Sequence, residues 1–121
     1  MLVQVLKSKI HMAKVTERVL EYDGSITIDE EIVEKAGMYP NEKVLVVDIE
    51  NGARFETYII AGKRGSKEFC INGAAARLVE KNDRIIVMAF GIIEEKEVSN
   101  FKPLIVRMEN NNEIKEIKKG Y

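Results

Sequence analysis

The chain contains one cysteine, one histidine, two prolines and no tryptophan among its 121 residues. Cys70 alone cannot form a disulfide within the chain, which favours a reducing compartment and predicts a cytoplasmic protein. A zinc-type site needs three or four nitrogen or sulfur ligands, and one histidine with one cysteine cannot supply them. We therefore expect no metal in this protein.

Strong charge and long apolar runs are also missing. The formal net charge is −1, so no broad basic field is present to attract nucleic acid or an anionic membrane. No apolar run approaches the roughly 20 residues of a membrane-spanning helix. The apolar part of the N-terminal stretch MLVQVLKSKIH is too short for a signal peptide. The sequence also has no GxxxxGK[ST] or GxGxxG nucleotide-binding loop.

What remains is a globular composition with 45% hydrophobic and 32% charged residues, which suits one domain over residues 1–121. Apolar or alternating stretches predict strands at 2–6, 25–29, 43–49, 53–60, 68–71, 84–93 and 103–108. Two short helices are predicted, one capped by Asp29 over 30–36 and one opened by Gly73.

Six or seven short strands with two short helices predict a mainly β fold, a small closed barrel. An open sheet would expose long edges such as the stretch 84–93, which we expect to be buried on both faces. The Asn51-Gly52 pair predicts a hairpin turn. The polar tail, about 109–121, is predicted to be loosely held.

The stretch EYDGSITID places a Gly24-Ser25 pair directly before an alternating strand. By itself such a pair indicates a turn, because glycine tolerates positive φ and serine bonds to nearby backbone. Two other stretches carry groups suited to chemistry, but each also has a simpler interpretation.

In NGARFETY, alternation places Arg54 and Tyr58 on one strand face and Thr57 on the other, and a bulge could bring Thr57 and Tyr58 to one site. An exposed hairpin is the simpler interpretation. In INGAAARL, a helix start at Gly73 could bind a carboxylate through backbone N–H groups, or could be only a tight turn. His11 has the simpler interpretation of a half-buried strand residue making one hydrogen bond.

Together, five stretches resemble the pyruvoyl-dependent aspartate 1-decarboxylase family: KSKIHMAKVT (7–16), YDGSITID (22–29), NGARFETY (51–58), GKRGS (62–66) and INGAAARL (71–78). The resemblance runs in order over roughly residues 1–108. It implies a double-psi β-barrel and a homotetramer with active sites between neighbouring subunits, neither of which follows from periodicity.

The resemblance also implies that the chain cuts itself between Gly24 and Ser25, giving a β chain of residues 1–24 and an α chain of 25–121. Ser25 would become a covalent pyruvoyl group, so neither pyridoxal phosphate nor a metal would be needed. The implied reaction is the decarboxylation of L-aspartate to β-alanine and carbon dioxide for pantothenate biosynthesis.

Residue roles carry over from the matching stretches. The resemblance implies that Ser25, Gly24, Thr57 and Tyr58 take part in catalysis or processing, with Thr57 as oxyanion donor and Tyr58 as proton donor. It implies substrate binding by Arg54, Lys9, Asn72, Gly73, Ala74 and Ala75, and supporting roles for His11 and Tyr22. Two alternatives remain open: a pyruvoyl decarboxylase of another acidic amino acid such as glutamate, and a non-enzymatic small β-barrel module.

Overall fold

The computed structural model describes all 121 residues, and its strands belong to one nine-stranded sheet. The strands are β1 Leu2–Lys14, β2 Glu17–Val19, β3 Ser25–Asp29, β4 Lys43–Asp48, β5 Arg54–Gly62, β6 Phe69–Asn72, β7 Arg84–Glu94, β8 Leu104–Glu109 and β9 Glu113–Lys119. The one α-helix, α1, is Glu30–Lys35, and 3-10 helices lie at Gly73–Leu78, Glu95–Asn100 and Asn110–Asn112. None of these helices has both the length and the apolar character needed to cross a bilayer.

The strand order in the sheet is β2-β6-β3-β5-β4-β7-β1-β8-β9. The pairs β2–β6, β3–β5 and β1–β8 are parallel, and the others are antiparallel. The prediction of a mainly β fold is confirmed, with nine strands in place of the six or seven expected. The two unpredicted strands are β2, which is three exposed residues long, and β9, which is rich in lysine and glutamate. Neither carries the apolar alternation by which strands are recognised.

The tail differs from the expectation that it is loosely held. β9 pairs antiparallel with β8 along most of its length. Just before it, Asn112 is buried; its side chain accepts a hydrogen bond from the Lys14 N–H and donates to the carbonyl oxygens of Lys14 and Lys67. This polar segment is therefore held by hydrogen bonds to backbone groups that are distant in the sequence. A hydrophobicity pattern cannot predict such bonds.

β7 is not buried on both faces within one chain. Ile85, Val87 and Ala89 are fully buried, whereas the alternate positions become more exposed along the strand, reaching 39% at Phe90 and 66% at Ile92. The stretch 84–93 therefore has one core face and one outer face that this chain leaves partly uncovered.

Around β3, one face of the sheet packs in the hydrophobic core and the other faces away from it. Ile26 and Ile28 of β3 are fully buried and pair in register with Ile59 and Ala61 of β5 and with Ile71 and Phe69 of β6. Residues at the alternate positions of these strands lie on the opposite side, which we call the outer face. Ser25, Thr27, Tyr58, Cys70 and Asn72 are on this outer face.

Asp29 joins β3 to the elements that follow it. Its carboxylate accepts hydrogen bonds from the backbone N–H groups of Glu31 at 2.8 Å, Gly65 at 3.1 Å and Lys67 at 2.8 Å. Burial alone would raise the pKa of Asp29, but these hydrogen bonds outweigh it and hold the pKa below its usual value. The predicted cap of α1 is confirmed, and the same carboxylate also anchors the loop before β6.

Asp48, at the end of β4, is a fully buried carboxylate that is only half satisfied. Its Oδ1 accepts a hydrogen bond from the Glu50 N–H at 2.8 Å, whereas its Oδ2 is buried without a partner. Burial raises the pKa of Asp48 to about 6, and the neighbouring Asp83 carboxylate adds to the rise. Folding therefore favours the protonated form of Asp48.

The Asp48→Asn variant should be more stable than the unmutated protein at neutral pH. Because the folded state holds the Asp48 proton more tightly than the unfolded state does, the free energy of unfolding should fall as pH rises from about 4 to about 6. The free energy of unfolding of Asp48→Asn does not fall in this way, so the difference between variant and unmutated protein should grow from about pH 4 to about pH 6 and stay constant above it. We expect a final difference on the order of 1–3 kcal/mol, the cost of burying an unpartnered polar group. Thermal unfolding at fixed protein concentration between pH 4 and 8 measures the difference; an advantage that does not vary with pH would contradict the assignment.

Candidate active site

A buried polar cluster surrounds the side chain of Ser25 at the start of β3. Ser25 and Asn72 are register partners on β3 and β6, and they are 1% and 4% exposed. The Asn72 amide nitrogen Nδ2 donates hydrogen bonds to Ser25 Oγ and to Thr27 Oγ1, both at 3.0 Å. The Cys70 thiol donates to Asn72 Oδ1 at 3.2 Å. The Ser25 hydroxyl is thus held in a fixed position, next to the Gly24–Ser25 peptide bond.

The segment that precedes Ser25 packs directly on Gly73. Gly73 has φ of +80°, and a Cβ built on it would lie 2.7 Å from Gly24 Cα, 2.9 Å from Gly24 N and 3.0 Å from the Tyr22 carbonyl oxygen. A Cβ built on Gly24, in contrast, would meet nothing within 4 Å. The backbone of Gly24 therefore rests against Gly73 on one side and is unobstructed on the side where its own side chain would project.

Tyr58 lies next to Ser25 on the outer face. The parallel pairing of β3 with β5 begins at Ile26 and Ile59, so Ser25 and Tyr58 are the residues just before the first pair. Because paired residues in parallel strands point to the same face, the side chains of Asn72, Ser25 and Tyr58 follow one another across β6, β3 and β5. Tyr58 is 37% exposed, so part of this residue is accessible from outside the chain.

Thr57 lies on the face of β5 opposite Arg54 and Tyr58. Arg54 is exposed on the same face as Tyr58. The register between β4 and β5 is regular from Tyr58 to Arg54, so the bulge that could have brought Thr57 and Tyr58 together is absent. The half-buried Thr57 side chain therefore points to the face opposite Tyr58.

Lys9 and His11 share the outer face with Arg54 but lie on β1, three strands away from β5. Two cross-strand rows connect them, namely Lys9–Met88–Leu45–Glu56 and His11–Ile86–Val47–Arg54. Three strand spacings correspond to about 14 Å. Within one chain, Lys9 and His11 are therefore far from Arg54.

Lys9 and His11 have different surroundings. Lys9 Nζ donates a hydrogen bond to the Tyr121 hydroxyl at 3.1 Å and lies 5.5 Å from the centre of that ring. His11 is half-buried, as expected, and its Nδ1 is buried without a hydrogen-bond partner. Burial, with smaller contributions from Lys9 and Arg107, lowers the pKa of His11 and favours its neutral form.

The remaining predicted residues border the same cluster. Tyr22 is 58% exposed, and its backbone carbonyl faces Gly73. Ala74 is exposed, whereas Ala75 packs partly against the core at the start of the 3-10 helix Gly73–Leu78. None of the five main surface cavities is lined by Ser25, Arg54, Tyr58 or Asn72.

Sequence reasoning did not identify Thr27 and Cys70 as members of the cluster. Both follow the two-residue spacing of strands, because Thr27 lies two positions after Ser25 and Cys70 two positions before Asn72. That spacing could have placed them on the outer face. Their hydrogen bonds to Asn72, however, depend on the β3–β6 register, which only the structure gives.

Comparisons with known proteins agree on one family. Residues 1–115 match the family model described as aspartate decarboxylase. The chain is 57% identical to an aspartate 1-decarboxylase of Caldicellulosiruptor bescii, over 94% of this chain and 89% of that protein. It is 58% identical to one of Thermosipho africanus, over 94% and 93%, and 52% identical to one of Pelotomaculum thermopropionicum, over 99% and 91%.

The contact between Gly73 and Gly24 can be tested by comparison with a second glycine of similar backbone. Gly73→Ala and Gly52→Ala both place a side chain at positive φ, +80° and +75°, but only Gly73 has neighbours within 4 Å. Each variant should lose about 1–3 kcal/mol from backbone strain, and Gly73→Ala should lose more because Gly24 must move. Thermal unfolding gives the stability, and limited proteolysis should show faster cutting near residues 22–24 only in Gly73→Ala. Equal losses with equal proteolysis would contradict the close packing.

Proposed function

The chain belongs to the aspartate decarboxylase family, and from this we propose that it cuts itself between Gly24 and Ser25 and then decarboxylates L-aspartate to β-alanine and carbon dioxide. The observation that supports this most directly is the buried Ser25 hydroxyl, held by Asn72 beside the bond to be cut. The names of the relatives indicate aspartate as the substrate. They do not support the alternative of a non-enzymatic barrel module.

Self-cleavage uses the atoms of Gly24 and Ser25 themselves. Ser25 Oγ attacks the Gly24 carbonyl carbon, and the peptide C–N bond is replaced by an ester between the two residues. Loss of the Ser25 Cα proton then breaks the Cβ–O bond, which leaves Gly24 with a carboxylate and residue 25 with a carbon–carbon double bond. Water converts the new terminus to a pyruvoyl group and releases ammonia. The products are the β chain 1–24 and the α chain 25–121.

The residues around Ser25 suit this reaction. Asn72 Nδ2 donates to Ser25 Oγ, and Oγ lies 3.4 Å from the carbonyl oxygen of Asp23, so the hydroxyl proton is directed away from Asn72. Thr57 is the proposed donor to the oxyanion. Because its side chain lies on the opposite face of β5, this role requires β5 to twist near Ser25.

The pyruvoyl group, when formed, supplies the electron-accepting carbonyl that decarboxylation requires, without pyridoxal phosphate or a metal. Residue 25 would then lie on the outer face between Asn72 and Tyr58. We assign Arg54 to binding of a substrate carboxylate, because a guanidinium offers two parallel hydrogen bonds. Tyr58 returns a proton to the substrate Cα, and Asn72 with Gly73, Ala74 and Ala75 lines the site. Tyr22 and His11 support its shape.

The outer face supports a site shared between subunits of a homotetramer. Lys9 and His11 are separated from Arg54 and Tyr58 by apolar side chains of β4 and β7, namely buried Val47 and half-buried Leu45, Ile86 and Met88. Phe90 and Ile92 extend this apolar surface along β7. A second copy packed here would remove that surface from water. We propose that in this assembly Lys9 of the second copy lies near Arg54 of the first chain, an approach that is not possible within a single chain.

We also propose the fold, pathway and cellular location that the family implies. The nine-stranded sheet, with three parallel pairs among antiparallel ones, is compatible with a double-psi β-barrel over the single domain 1–121. The β-alanine product would serve pantothenate biosynthesis in the cytoplasm. Glutamate is the competing substrate to assay, because one methylene changes discrimination by only about 1–3 kcal/mol.

Self-cleavage is tested by removing the Ser25 hydroxyl. The unmutated chain of 121 residues should yield fragments of 24 and 121 − 24 = 97 residues by intact mass after incubation. Ser25→Ala should stay whole and inactive, because it has neither nucleophile nor leaving oxygen. Ser8→Ala is the matched control: Ser8 is also 1% exposed, its Oγ has no partner, and its loss should leave cleavage unchanged. Cleavage after Gly24 in Ser25→Ala would rule out the hydroxyl attack.

Turnover separates the roles of Arg54 and Tyr58. Arg54→Lys keeps the charge but loses the two-point grip on a carboxylate, so KM should rise and kcat/KM should fall. Tyr58→Phe should lower kcat by about 10²–10⁴-fold with little change in KM, because proton return follows the loss of carbon dioxide. Both are measured on fully cleaved protein by β-alanine formation. An unchanged kcat in cleaved Tyr58→Phe would assign the proton to another donor.

A further inference from the structure

We propose that Cys70 is a positioning residue for self-cleavage, whose thiol fixes the orientation of the Asn72 amide that holds Ser25 Oγ. The inference rests on the proposed function, because it concerns the rate at which the Gly24–Ser25 bond is cut. The Cys70 side chain makes no hydrogen bond to Gly24 or Ser25, so it acts through Asn72.

The Asn72 amide has a complete set of partners in the observed orientation. Its Nδ2 has two hydrogens, and it makes two hydrogen bonds, one to Ser25 Oγ and one to Thr27 Oγ1. Its Oδ1 receives the Cys70 thiol at 3.2 Å, the only side-chain donor that reaches this oxygen. Because Asn72 is 4% exposed, water does not readily replace any of these partners.

The two ends of the amide have opposite effects on Ser25. In the observed orientation, Ser25 Oγ accepts a hydrogen bond from Asn72 Nδ2 and directs its own proton to the Asp23 carbonyl oxygen, over a long contact of 3.4 Å that is easily broken as the oxygen attacks Gly24. If the amide turned by 180°, Oδ1 would face the two hydroxyls, and the Ser25 proton would be held by Asn72. The nucleophile would then have to break that hydrogen bond before it could react.

The hydroxyls of Ser25 and Thr27 cannot select strongly between these orientations, because a hydroxyl both donates and accepts, and turning the amide would cost Ser25 only its long 3.4 Å contact with the Asp23 carbonyl oxygen. The thiol can, since S–H donates to Oδ1 whereas sulfur is only a weak acceptor for Nδ2. Turning the amide would therefore exchange a thiol–carbonyl contact for a poor amide–sulfur contact. Cys70 is thus the partner whose hydrogen bond depends on which end of Asn72 faces Ser25.

The surroundings of Cys70 keep it a donor. The side chain is half-buried, and burial, with smaller contributions from the Glu68 and Glu17 carboxylates, raises the pKa of its thiol. The sulfur therefore carries its proton at neutral pH. A thiolate could only accept, and it would favour the turned amide.

The test follows the rate of cleavage in freshly purified, uncut chain by intact mass. Cys70→Ser retains a donor at this position and should cut within about twofold of the unmutated rate. Cys70→Ala and Cys70→Val have no donor, and both should cut about 3- to 10-fold more slowly, the effect expected for one hydrogen bond. Thermal unfolding of the uncut chains shows whether any variant is merely less stable; Cys70→Val also restores the lost volume.

Two outcomes would overturn the inference. Cleavage of Cys70→Ala and Cys70→Val at the unmutated rate would show that the thiol is not needed, and equally slow cleavage of Cys70→Ser would show that packing, not donation, matters. Ser25→Ala is measured in parallel. An unmutated chain that also stays whole would overturn the proposed self-cleavage together with this inference, whereas normal cutting of the unmutated chain isolates the role of Cys70.

Discussion

The hydrogen bond from Asn72 Nδ2 to Ser25 Oγ is the contact on which the account of this protein depends. It joins β6 to the first residue of β3, and it holds a buried hydroxyl, the proposed nucleophile, beside the Gly24–Ser25 peptide bond. A buried amide that loses a partner costs free energy, so each member of the cluster stabilises the others. The close approach of Gly24 to Gly73 belongs to the same arrangement, because any larger residue at 73 would displace the segment leading into Ser25.

The outer face of the sheet imposes the second constraint. Ser25, Tyr58 and Arg54 lie on neighbouring strands, but Lys9 and His11 are three strands from β5 on the same face. Side chains three strands apart on the outer face are about 14 Å from each other, so Lys9 and Arg54 of one chain do not meet. The apolar side chains between the two groups offer a surface for another copy of the chain. In the proposed homotetramer, assembly and completion of the site would be one event, because the contact that covers the apolar surface would also supply Lys9 to the site.

Sequence patterns predicted the strands, caps and turns that depend on residues close together in the chain. Alternation predicted β3, the Asp29 cap predicted the start of α1, and Asn51-Gly52 predicted the β4–β5 hairpin. The segments missed were those held by distant partners, such as β9, which depends on pairing with β8 and on the hydrogen bonds of Asn112 to Lys14 and Lys67. At the site, the resemblance singled out Ser25, Arg54 and Tyr58. It could not show that Cys70 contacts Asn72, which depends on the β3–β6 register. Alternation placed Thr57 on the face opposite Tyr58, but only the β4–β5 register shows that no bulge brings the two together.

The central claim, that residue 25 becomes the electrophile for aspartate, has one direct test. Cleaved protein is incubated with isotopically labelled L-aspartate and a borohydride reductant, digested, and analysed by mass spectrometry. The account predicts a label covalently attached to the first residue of the fragment 25–121, and no such label on uncut Ser25→Ala. A protein that releases labelled β-alanine and traps no label at residue 25 would contradict it.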